Sequence, residues 1–215
     1  MGSTQIWYYD CMEQLIHSAP RLSEEEYLRL EEAAKARHEF RDGQVVDMAG
    51  GTIAHIEIGS NLIRELGVRL KGRPCKTLCS DLKVRIGRSG NYFYPDVTVV
   101  CGAVEFFPPD RKTAITNPRL IVEVTSPSTE ADARGKTFTD YRSLDSLQEY
   151  LLVSQERMEV ETFYRQQDGI WAIGPRFTGA EQSVRLSCLQ IEIPITEIYA
   201  GVEFVPPTPR TAPVE

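Results

Sequence analysis

Two apolar, β-branched runs in the middle of the chain each carry one carboxylate: Tyr94-Pro95-Asp96-Val97-Thr98-Val99-Val100 and Leu120-Ile121-Val122-Glu123-Val124-Thr125. Alternation along a strand sends Val122 and Val124 to one face and Ile121, Glu123 and Thr125 to the other, so Glu123 is set in a segment that otherwise reads as core. An ionised carboxylate withdrawn from water costs several kcal/mol unless a cation or a set of donors compensates it. Its β-branched neighbours supply neither, so something positive has to meet Glu123. Asp96, on a neighbouring strand by the same reading, is placed to share a divalent cation with it, and Lys136, on the helix expected next, is placed to reach the same point. Each residue alone has a plainer use: Glu123 pairing with an arginine or capping a helix, Asp96 opening its strand or bonding its own turn, Lys136 solvated.

A chain of 215 residues suffices for one domain with a proper core. Residues 1–20 read as an amino-terminal arm, too apolar for a free tail (Trp7, Tyr8, Tyr9, Leu15, Ile16) and too short for a domain. Residues 21–205 read as a single domain and 206–215, rich in proline, as a loose tail. The arm suggests packing against its own domain or a second subunit, and the latter gives the expectation of a homodimer or higher homo-oligomer. No apolar run approaches the roughly 20 residues of a membrane span, and no signal pattern opens the chain. The five cysteines are scattered and odd in number, which fits free thiols in a reducing compartment rather than a disulfide framework; the expected location is cytoplasmic. Cys75 and Cys79 lack the second pair that a zinc site needs.

A net charge of −7 argues against indiscriminate nucleic-acid binding, which is mostly electrostatic. Between Arg64 and Arg88, however, eight basic residues face only Glu65 and Asp81. Such a strip beside an acidic pocket suits a phosphodiester approaching carboxylates and a metal; a solvated helix and hairpin would produce it equally well.

Ser23-Glu24-Glu25-Glu26 forms a capping box opening a helix to about Lys35. A hairpin follows, residues 37–40 and 44–48, turned by Asp42-Gly43. Ile53, Ile56, Ile58, Leu62, Ile63, Leu66 and Leu70 recur at near-helical spacing until Gly72 and Pro74, predicting a helix that lines the sheet. Strands are expected at about 75–78, 82–86, 93–100 and 148–154 besides the Glu123 strand, with residues 105–117 as a loop and Ser126–Thr129 capping the helix of Lys136. A hairpin at 158–165 and 171–177, a strand near 183–191 and a short helix from Ile195 complete the chain. Among secondary candidates, Glu39 reads either as a further acid of the metal pocket or as a salt-bridge partner. His55, heading the long helix, reads as a holder of water or phosphate or as a plain cap. Asp81 is accounted for by turn chemistry, and Tyr141 by the core face of its helix.

Pro95-Asp96, then a hydrophobic strand with Glu123, then a basic residue resembles the PD-(D/E)xK nuclease superfamily. Closer still, LIVEVTSPST with the following RGKTFTDYRSLDSLQEYLLVS, and HEFRDGQVVDMAGGTIAHIEIGSNL upstream, resemble the Uma2 family (domain of unknown function 820) of the cyanobacterial type, from about Leu22 to Val202. The superfamily's lysine normally lies two residues after the glutamate, where this chain has Thr125. The Uma2 pattern is similar to variants in which that lysine has moved to the next helix, which makes Lys136 its replacement. The resemblance implies an α/β (α+β) fold with a restriction-endonuclease-like core, a mixed central sheet flanked by helices. It also implies a Mg²⁺- or Mn²⁺-dependent endonuclease acting on DNA. Asp96, Glu123 and the main-chain carbonyl of Val124 would hold the metal, Lys136 would aid the water or phosphate, and Glu39 would belong to the site, which His55 joins from its place at the head of the long helix. The alternatives are a degenerate member that binds nucleic acid without cutting it and an oligomeric interaction protein whose acids pair with arginines.

Overall fold

The structure, a computed structural model, describes residues 21–48, 50–107 and 113–204. The expected arm at 1–20, the self-association inferred from it and the tail at 206–215 lie outside the described residues.

Helix α1 (Glu24–Ala33) starts at the expected capping box: the Ser23 hydroxyl accepts from Glu26 N–H and the Ser23 N–H donates to Glu26 Oε2 at 2.7 Å. It buries Tyr27 and Leu28 but leaves Leu30 exposed. Strands β1 (His38–Arg41) and β2 (Gln44–Asp47) form the hairpin. Asp42 and Gly43, with φ of 50° and 83°, supply the two positive φ values of the tight turn whose twist suits a hairpin. Tyr27 stacks on Phe40 with ring centroids 4.7 Å apart, fixing α1 on this hairpin.

Helix α2 (Ile53–Arg69) is capped by the Thr52 hydroxyl, which accepts from His55 N–H. Ile58, Leu62 and Leu66 enter the larger core as the spacing predicts. Ile53 and Ile56 stay exposed. Strands β3 (Cys75–Cys79) and β4 (Lys83–Arg85) follow.

The run expected as one strand over 93–100 is two: β5 (Tyr92–Phe93) and β6 (Val97–Cys101). Pro95 has no N–H to give a ladder, and the chain changes sheets there. Strand β5 belongs to a five-stranded sheet ordered β2-β1-β5-β4-β7. Strand β6 belongs to a six-stranded sheet ordered β11-β10-β9-β8-β6-β3. Asp96 stands at the crossing. Strand β7 (Ala114–Ile115), pairing in parallel with β4, lies inside the stretch that reads as a loop; two residues are too few for a periodicity signal.

Strand β8 (Leu120–Thr125) pairs antiparallel with β6 and parallel with β9 (Glu149–Ser154). The single helix expected between them is two short ones, α3 (Glu130–Arg134) and α4 (Lys136–Tyr141), divided at Gly135 with φ −100° and ψ −97°. Strands β10 (Val160–Arg165) and β11 (Trp171–Phe177) are the expected hairpin. The expected strand over 183–191 is instead a small hairpin of its own, β12 (Ser183–Leu186) and β13 (Ile191–Pro194), followed by α5 (Ile195–Ile198).

The six-stranded sheet has a core on each face. Leu120, Val122 and Val124 join α2 and the β12–β13 hairpin on one side; Ile121 joins Tyr141, Leu144, Tyr150 and Phe163 on the other. Glu123 shares the face of Ile121, as alternation requires. No helix among the described residues is long and apolar enough to cross a membrane.

The reading of the cysteines as free thiols is corrected. Cys75 and Cys101, register partners on β3 and β6, form a disulfide, while Cys79 and Cys188 are free. The two cysteines are 26 residues apart in sequence and meet only through strand pairing, which spacing does not reveal. Cysteine usage therefore no longer supports a reducing compartment, and Cys75 is unavailable to a metal. The basic strip is also largely committed to structure. Arg69 pairs with Glu65, Arg73 donates to the Leu189 carbonyl, and Arg85 pairs with Glu24 while stacking on Phe107.

A candidate metal-dependent active site

Where the two sheets part at Pro95, a cleft of about 340 Å³ opens, lined by Glu39, Arg41, Asp47, His55, Asp96, Glu123, Val124, Asp132 and Thr137 among others. The strands deliver the acids. Glu123 comes from the end of β8 and Asp96 from the bend before β6; Glu39 comes from β1, brought across by the hairpin sheet. Within β8, Glu123 is the one residue that is half-buried rather than buried, because its side chain opens on the cleft.

Each acid is held. The Tyr141 hydroxyl donates to Glu123 Oε1 at 2.8 Å. Val124 N–H donates to Asp96 Oδ2 at 2.7 Å, and His55 Nε2 lies 2.8 Å from Asp96 Oδ1. Glu39 Oε2 receives both Nε and Nη2 of Arg41, at 2.8 and 2.6 Å, while Arg41 Nη1 donates to Asp132 Oδ2 at 2.7 Å. Arg41 also lies over the Phe93 ring, 5.1 Å from its centroid.

The electrostatics are those of acids gathered with too few cations. Enclosure pushes the Glu123 carboxyl well above the usual range. The neighbouring charges of Asp96 and Glu39 push it further, and the Tyr141 hydrogen bond and Arg41 only partly oppose this. Tyr141 is raised in turn by burial and by Glu123. His55 is raised chiefly by its bond to Asp96, against the opposing effect of burial.

The structure thus brings Asp96, Glu123, Val124, Glu39 and His55 to one cleft. It does not bring Lys136. That lysine is exposed and outside the lining, while its neighbour Thr137 is buried and faces the cleft. The expected wheel assumes one continuous helix from Ser126, and the break at Gly135 resets the phase. For the same reason Tyr141, expected only in the core, both packs there and holds Glu123. Asp81 pairs with Arg37 at the surface. Arg41 and Asp132 are cleft residues that the sequence analysis does not single out, and Tyr141, expected in the core, also holds Glu123 from there. A basic residue two positions after Glu39, on the same face of a strand, was a usable signal for Arg41.

Hard oxygen donors suit Mg²⁺ or Mn²⁺. Both Asp96 oxygens are already hydrogen-bonded, but each carboxylate oxygen offers two lone pairs, so the donor set fits such an ion. Among the described residues no group of three or more His, Cys, Asp and Glu side chains is already gathered at metal distance.

Comparison with known proteins bears on the fold and the family. The chain is 40% identical over 187 residues to an uncharacterized protein of Synechocystis sp., covering 86% of this chain and 95% of that one. A second uncharacterized Synechocystis protein is 34% identical over 170 residues, covering 79% and 95%. The crystal structure of a "putative nuclease belonging to DUF820" from Anabaena variabilis superposes with a TM-score of 0.65 at 17% identity, covering 83% of this chain and 97% of that one. It shares the mixed α/β fold. The model of the Uma2 family, described as "Putative restriction endonuclease", matches residues 24–196. Together with the Synechocystis relatives, that match makes this chain a member of the Uma2 family.

Proposed function

We propose that this protein is a Mg²⁺- or Mn²⁺-dependent endonuclease that hydrolyses DNA phosphodiester bonds in the cleft between its two sheets. The observation that carries the reading is that Asp96, Glu123 and Glu39 line one cleft, with the Glu123 carboxyl driven upward by burial and by its acidic neighbours. A cost of that kind is relieved by a divalent cation. Asp96, Glu123 and the Val124 carbonyl are the residues to hold it. Bound there, such an ion lowers the pKa of a water and neutralises charge growing on the phosphate.

The chain's own groups prepare the site. Tyr141 fixes the Glu123 carboxyl through Oε1, and Oε2 would remain available to a cation. Val124 N–H and His55 clamp Asp96 from both sides, so it needs little reorganisation.

The experiment is plasmid cleavage by the purified chain with Mg²⁺, with Mn²⁺ and with EDTA, beside Asp96→Asn and Glu123→Gln. Cleavage that needs the metal and both acids is the expected result. A second reading, a member that binds DNA without cutting it, is favoured by one observation, the outward position of Lys136. Metal-dependent binding with intact plasmid in every lane would select it.

A further inference from the structure

Resting on the function proposed above, we infer that Arg41 is the residue that takes a phosphate of the nucleic acid, with Glu39 as its fixed support and Asp132 as a partner that the phosphate displaces. Among the described residues lining the cleft, Arg41 alone carries a permanent positive charge. A polyanion entering past five carboxylates needs such a group, and the expected lysine points elsewhere.

The two ends of the guanidinium are held unequally. On one side Nε and Nη2 converge on Glu39, whose side chain is 15% exposed, and the plane lies over Phe93. This half is fixed by a strand and an aromatic ring. On the other side Nη1 meets Asp132, 55% exposed, on the five-residue helix α3. Exposed ion pairs of that kind shift an equilibrium by less than about tenfold. A phosphate offers a guanidinium edge two oxygens in matching geometry, so it can replace Asp132 without disturbing Glu39. Ser128 and Thr129, on the loop leading into α3, line the same mouth with hydroxyls.

The test is equilibrium binding of a fluorescent duplex in Ca²⁺, which fills hard-oxygen sites while cleavage is followed separately in Mg²⁺. Arg41→Gln is expected to weaken binding by about ten- to hundredfold, the weight of a charge-assisted hydrogen-bonded contact. It should also reduce the slope of log K against log salt by about 0.9. Arg41→Lys should keep that slope and recover only part of the affinity, because a lysine lacks the fork. Asp132→Asn should tighten binding about threefold, within the range for an exposed pair. Combined with Arg41→Gln it should change nothing, since Asp132 acts through Arg41.

Thermal melts of every variant separate lost binding from lost folding, and Asp132→Asn, at an exposed position, still decides the matter if Arg41→Gln fails to fold. Wild-type affinity and slope in Arg41→Gln would overturn the assignment while leaving the endonuclease reading intact. So would an Asp132→Asn gain that persists without Arg41. Wild-type protein that neither binds nor cuts DNA would overturn both.

Discussion

Two glutamates stand on adjacent parallel strands, Glu123 near the end of β8 and Glu149 at the start of β9, and they show what a carboxylate in an apolar strand does and does not mean. Both have carboxyls raised above the usual range, Glu149 by burial and Glu123 by enclosure together with other acids. Glu149 is closed off and supplied with opposing groups: Ser187 N–H donates to its Oε1 at 2.8 Å, and Cys188 and Arg119 stand near. Glu123 opens on a cleft and has Asp96 and Glu39 for company. A buried acid is therefore an ordinary structural element where a backbone donor and a nearby cation compensate it. Where further acids share its cleft instead, as at Glu123, it is the place proposed above for a cation.

The largest expected effect breaks the comparison at Glu123. Glu123→Gln should lower metal-dependent DNA cleavage by about a thousandfold or more, on the scale of about 1.4 kcal/mol per tenfold, and should abolish Mn²⁺ binding by calorimetry. Glu149→Gln should leave both within about threefold. Equal losses in the two variants would mean that the cleft acids have no special role.

Next in size is Tyr141→Phe, which removes the donor to Glu123 Oε1. Loss of this buried hydrogen bond should cost about 0.5–1.5 kcal/mol of stability, read by urea unfolding without metal. Metal affinity should fall only slightly, because the phenol orients the carboxylate rather than ligating.

The pH dependence sharpens the contrast further. A carboxyl whose folded pKa is raised binds its proton more tightly in the native state, so its contribution is fully present below the unfolded value, about 4.3, and is lost as pH rises through the folded one. The contributions of Glu123 and Glu149 should therefore be lost as pH climbs above about 4.3 in the metal-free protein, against the opposite trend of lowered carboxyls such as Glu24 and Glu159. Glu149→Gln should remove one part of that loss, and saturating Mn²⁺ should remove the part due to Glu123. Each difference should appear as a rise of a few degrees in the melting temperature near neutral pH, where 1 kcal/mol is about 2–4 °C for a domain of this size. A metal effect as large in Glu123→Gln as in wild type would contradict the assignment.

The smallest expected effect is at Lys136. Its exposed position puts Lys136→Ala within about threefold of wild-type cleavage, the range of an ordinary surface substitution. Loss of cleavage there would restore the lysine to the mechanism and take weight from Arg41.

How much of this was legible depends on whether the signal was local. The capping box at Ser23, the Asp42-Gly43 turn and the alternation that turns Glu123 away from Val122 and Val124 are set by neighbouring residues, and they appear in the structure as expected. The membership of Asp96 and Glu123 in one cleft follows from two apolar strands, although residues 93–100 read as one strand where Pro95 moves the chain between sheets. What failed depended on phase or distance. One glycine, Gly135, sends Lys136 outward and brings Tyr141 to Glu123, and no helical wheel drawn across it could show either. The Cys75–Cys101 bond and the commitment of Arg69, Arg73 and Arg85 to structural partners arise from tertiary neighbours. Glu149 went unremarked because its compensating Ser187 N–H lies 38 residues along the chain.

The most direct measurement is an anomalous difference map, at the manganese edge, from crystals soaked in Mn²⁺. The expected result is a peak in the cleft at roughly 2.1–2.2 Å from oxygens of Asp96, Glu123 and the Val124 carbonyl, a distance proper to a hard cation between Mg²⁺ and Ca²⁺ in size. A cleft without a peak at saturating Mn²⁺, with Tyr141 and His55 still holding the two acids, would contradict the claim that these carboxylates are gathered for a metal.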